Sequence, residues 1–178
     1  MILYHGSNVP NIEALRPRDA ECENPYVYLT HSEVLATIYA HNPLTRPNGF
    51  FSYWWSKDGQ LHYDEYFENQ LMEIYSGQKG YLYECEGEYV QLEKMPWVYV
   101  AEQNVPVSSC VEIPNIYEQL LQYERDGLLV VHRWSEVSLK QREIWENVVR
   151  KSLENTDLNT PLGAEYYEYV KAHFMNIV

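Results

Sequence analysis

The chain reads as an α+β protein with mostly antiparallel strand pairing. Three observations predict this: apolar strand-like runs and helix-like runs follow one another without regular alternation, an Asp-Gly turn separates two aromatic runs, and two amphipathic segments close the chain. Its 178 residues suit one well-packed domain spanning 1–178, with a core over about residues 1–135 and closing helices over about 136–178.

Ile2–His5 is apolar enough for a first strand, and Pro10 turns the chain into a short helix over Asn11–Leu15. Residues 16–25, rich in Pro, Arg, Asp and Glu, read as a loop leading to a second strand, Tyr26–Thr30. Ser32 can accept from an early orphan N–H and so caps a helix from Glu33 to about His41, which Pro43, Pro47 and Asn48-Gly49 break. Phe50–Trp55 and Gln60–Tyr66 flank Lys57-Asp58-Gly59 as an inserted β-hairpin, because Asp-Gly favours the backbone of a tight hairpin turn. A helix follows over Glu68–Tyr75 and ends at Gly77.

Tyr81–Glu86 alternates, with Tyr81, Tyr83 and Cys85 on one face, and reads as a core strand; Trp97–Ala101 and Val105–Ile113 are further strands. Ile116–Tyr123 is helical, and Asp126-Gly127 turns the chain into an apolar strand over Leu128–Arg133. The two C-terminal helices are Leu139–Leu153, with an apolar stripe through Ile144 and Val148, and Gly163–Phe174, with Tyr166, Tyr169, Val170 and Phe174.

A formal charge of −13 argues against tracking a nucleic-acid backbone, which needs clustered Lys and Arg. Cys22, Cys85 and Cys110 are odd in number and widely spaced, which suits reduced thiols and offers neither a disulfide frame nor a zinc knuckle. No histidine spacing suggests a metal site, and neither a G-x-G-x-x-G nor a P-loop pattern occurs. With a strand starting at Ile2 and nothing approaching a membrane span, the expectation is a cytoplasmic protein. Seventeen tyrosines are many for this length, and amphipathic packing at the edges of the core is favoured over a binding belt as their role.

The most informative residues are Leu3-Tyr4-His5-Gly6-Ser7, then Ile12-Glu13-Ala14-Leu15-Arg16-Pro17, then Tyr28-Leu29-Thr30 and Ile38-Tyr39-Ala40. In order and spacing they resemble the ADP-ribosyltransferase fold of the poly(ADP-ribose) polymerase and diphtheria-toxin kind, over roughly the first forty residues. The resemblance implies a split-sheet fold and a transferase that binds NAD and passes ADP-ribose to an acceptor (protein, nucleic acid or small molecule) with loss of nicotinamide. It implies that His5 bonds the 2′-hydroxyl of the nicotinamide ribose, with Ser7 beside it. It further implies that Gly6 meets the carboxamide through its bare backbone, that Tyr28, followed by Thr30, and Tyr39 sandwich the nicotinamide, and that Arg16 faces the adenylate half. Where the family has a serine three residues before the second tyrosine, this chain has Ala36.

The family's catalytic glutamate has two candidates: Glu102, favoured because it enters the last core strand, and Glu112 near that strand's exit. An ungapped alignment puts a valine or serine in that slot, which leaves open a module that binds NAD or ADP-ribose without cleaving it. The acidic charge and the tyrosines leave open a third class, a protein-interaction module.

Overall fold

The computed structural model describes residues 1–18, 25–41 and 52–174. The chain is α+β and divides into two compact units, each made of two stretches: Met1–His41 with Tyr75–Tyr123, and Asn42–Ile74 with Glu124–Val178. The single-domain expectation thus meets a chain whose middle segment joins the C-terminal helices instead of the first sheet.

The first unit holds β1 (Ile2–Ser7), β2 (Ala14–Leu15), β3 (Val27–Thr30) and α1 (Glu33–Tyr39), and later β6 (Gly80–Glu86), β7 (Val90–Leu92), β8 (Met95–Ala101), β9 (Val105–Pro106) and β10 (Ser109–Ile113). Six of these strands form one antiparallel sheet in the order β10-β6-β1-β3-β8-β7. β1 lies along β6 over its whole length, Ile2 to Ser7, whereas it meets β3 at a single register position, Tyr4↔Thr30. Beyond that pair β1 and β3 form no further ladder, so the sheet opens beside His5.

α1 starts as its sequence dictates, with the Ser32 hydroxyl accepting from Leu35 N–H. It packs on one face of β1, where Gly6 is obligatory: a Cβ there would stand 1.7 Å from the Ala36 carbonyl oxygen and 2.7 Å from Ala40 N. The other face carries a core of Leu3, Leu15, Val27, Leu29, Cys85 and Val105, covered by the β2–β9 ribbon.

Three sequence expectations change here. Asn11–Leu15 is not a helix: Asn11 takes a positive φ of 57°, and Ala14-Leu15 pairs with Val105-Pro106, a non-local partner that overrides local helix preference. Val105–Ile113 is two strands, because β9 pairs with β2 while β10 pairs with β6. β7, absent from the sequence reading, forms a hairpin with β8.

The second unit contains β4 (Tyr53–Trp55) and β5 (Leu61–Asp64), antiparallel around the expected turn with Gly59 at φ +84°, and β11 (Leu129–His132) parallel to β5. Phe50 and Phe51, included in the expected hairpin, lie outside the described residues. α2 (Gln70–Tyr75) and α3 (Ile116–Arg125) each end across the division between units. α4 (Leu139–Glu154) and α5 (Pro161–His173) enclose Tyr66, Phe67, Trp145, Val149, Tyr166, Val170 and Phe174.

The buried stripe of α4 is therefore Trp145 and Val149; Ile144 and Val148, expected inside, are 46% and 38% exposed. The helix is rotated by one residue from the expected face because the large indole takes the core position against Tyr66. Buried Glu65 organises this unit: one carboxylate oxygen accepts from Leu71 N–H and the other from Trp134 N–H, both at 3.1 Å.

Candidate functional site

Where β1 and β3 part, a cleft of about 400 Å³ opens within the first unit. Its walls are the end of β1, the strap from Val9 to Arg18, and Tyr26 to Tyr28. Strand alternation decides which side chains reach it: Gly6 faces α1, so His5 and Ser7 face the other way.

His5 occupies the gap left by the missing ladder. Its Nδ1–H donates to the Tyr28 carbonyl at 2.9 Å, replacing a backbone bond that the splayed strands do not make. That bond fixes the tautomer and leaves Nε2 as an acceptor. Burial lowers the His5 pKa below the ordinary imidazole value; the Tyr28 carbonyl pulls the other way, and Arg18 adds to the lowering. The ring is therefore neutral near pH 7 and can accept from a hydroxyl.

Arg16 and Arg18 flank Pro17, are exposed, and both line the cleft. Tyr26 and Tyr28 meet edge to face, with ring centroids 6.1 Å apart. None of the described lining residues is an Asp or Glu. In a chain of charge −13, a cleft with two guanidiniums, a neutral imidazole and apolar walls of Val9, Ile12, Leu15 and Val27 suits an anion that carries apolar ring surface and hydroxyls.

Of the residues singled out in the sequence, the cleft brings together His5, Ser7, Arg16 and Tyr28. Gly6 is one residue away and is not among the lining residues; the side that a Cβ would take is filled by the backbone of α1. Tyr39 ends α1, on the face of β1 opposite His5, and is not among the lining residues. Thr30 is buried, and its hydroxyl accepts from Ser32 N–H at 3.2 Å, which shapes the entry to α1.

Glu102 is exposed in the turn after β8. Since Val27 pairs with Ala101, it comes level with Tyr26 at the cleft rim without lining the cleft. Glu112 lies two strands from Ser7 in the row Ser7–Tyr81–Glu112, bound to Lys79 at 2.8 Å.

Arg18 and Tyr26 are lining residues that the motif match did not select, although Arg18 repeats Arg16 two positions on, across a proline. Among the described residues, no group of three or more His, Cys, Asp or Glu is placed to hold a metal ion, and no helix is long and apolar enough to cross a membrane. No family model, curated protein or solved structure matches the chain.

Proposed function

We propose that the chain binds NAD, or the ADP-ribose part of it, in the His5 cleft, as an ADP-ribosyltransferase-like protein. The observation that supports this most is His5 held neutral on the Tyr28 carbonyl, with Arg16 and Arg18 in the same cleft and no carboxylate among its described lining residues. A ribose hydroxyl donates to Nε2, a base or the nicotinamide packs on the apolar wall of Val9, Ile12 and Val27, and the diphosphate lies against the guanidiniums. The order of His5-Gly6-Ser7 and Tyr28 along the chain favours cleavage as the activity, without a part for Tyr39 on the opposite face of β1: nicotinamide leaves and ADP-ribose passes to an acceptor.

For the chemistry, Glu102 at the rim is better placed than Glu112, which is engaged by Lys79. The test is nicotinamide release from NAD, with His5→Ala and Glu102→Gln expected to abolish it in folded protein. Release at the wild-type rate by both variants contradicts the mechanism. One observation favours a second reading, binding without cleavage: no described lining residue is a carboxylate, so none of them supplies the electrostatic stabilisation that a departing nicotinamide needs. Saturable NAD binding with no nicotinamide released over hours selects it.

A further inference from the structure

Tyr83 stands in the middle of β6, fully buried, directly across from His5 on β1. Its hydroxyl reaches the strap that walls the cleft, donating to Val9 C=O at 2.7 Å and accepting from Ile12 N–H at 3.3 Å. Pro10 and Asn11 lie between these two bonds, so one phenol oxygen closes the turn from both sides. Few other ties hold that turn. Pro10 has no N–H to give, Asn11 sits at φ 57°, and Val9 is 44% exposed. The Ser7 hydroxyl accepts from Val9 N–H at 3.1 Å, and the far end of the strap is fixed by the β2–β9 pairing and by Val107 N–H on Glu13 C=O at 3.0 Å.

We propose that Tyr83 is a positioning residue for the cleft, its hydroxyl holding the Val9–Ile12 turn where that turn forms the ligand-binding wall. The proposal rests on the NAD-binding function for its ligand, but the anchoring itself can be read without any ligand. Val9, Ile12, Ala14 and Leu15 of the strap all line the cleft, so releasing the turn moves a wall and not a distant loop.

The experiment compares Tyr83→Phe with wild type and with Tyr75→Phe, which loses a phenol bond to Ile38 C=O elsewhere in the same unit. In Tyr83→Phe, amide exchange at Ile12 accelerates and the Kd for NAD rises, each by roughly ten-fold, the equivalent of one ordinary hydrogen bond. The amides of Leu3 and Cys85 keep their protection, and Tyr75→Phe changes neither readout although it too loses stability. If the Tyr83→Phe chain does not fold, Asn11→Ala loosens the same turn by disfavouring its positive φ, without touching the core, and is expected to weaken NAD in the same way.

A Tyr83→Phe protein whose Ile12 exchange or NAD affinity stays at the wild-type level overturns the proposal. If wild type itself does not bind NAD, the functional assignment fails instead, and Ile12 exchange alone decides whether Tyr83 anchors the turn.

Discussion

Gly6 and His5 are neighbours in β1, yet one faces a helix backbone and the other a cleft. On the Gly6 side, α1 comes so close that a single carbon would collide with the Ala36 carbonyl. On the His5 side, β1 and β3 part after one register pair, and an imidazole bridges the gap to Tyr28. The two sides divide labour that the motif alone would give to a single pocket: the glycine permits the packing of α1, and the histidine furnishes the opening. Strand alternation enforces that division, because successive side chains cannot share a face.

The comparison breaks most visibly at Gly6. Gly6→Ala forces backbone against backbone and should cost about 3 kcal/mol or more, read as a lowered urea midpoint, with any larger residue worse. His5→Ala should do the opposite: stability falls by only about 1 kcal/mol from the lost bond to the Tyr28 carbonyl, while NAD affinity drops roughly ten-fold or more. Comparable losses of stability from the two substitutions would show that the faces are not specialised in this way.

Smaller effects sharpen the open side. Arg16→Ala with Arg18→Ala should weaken NAD roughly ten-fold at low salt and less at high salt, since both guanidiniums are exposed. An equal loss at every ionic strength would argue against a direct charge contact.

The smallest effect concerns pH. The folded His5 pKa is lowered, so below 6.5 the unfolded chain binds the extra proton first, and stability falls with pH through and beneath that value. His5→Gln should flatten this slope by at most about 1.4 kcal/mol per pH unit. A steeper slope in the variant would contradict a neutral buried imidazole.

Local signals were legible in the sequence wherever the cause was local. The Ser32 cap, the Asp58-Gly59 turn, the alternation that buries Tyr83 and Cys85, and the apolar face of α5 all follow from neighbouring residues. What stayed hidden depends on distant partners. Ala14-Leu15 became a strand because Val105-Pro106 lies beside it, and α4 turned by one residue to bury Trp145.

The site followed the same rule. His5, Ser7, Arg16 and Tyr28 could be named from their order in the chain, but the placement of Tyr39 behind the sheet and the hold of Tyr83 on the strap needed the register of β1 against β6 and the packing of α1.

The most direct test is a calorimetric titration of NAD into the intact chain and into a His5→Ala/Arg18→Ala double variant whose folding has been confirmed. A single saturable site in wild type that vanishes in the double variant is the outcome predicted by a ligand cleft on the His5 face. Equal binding by both proteins, or none by the wild type, would contradict it.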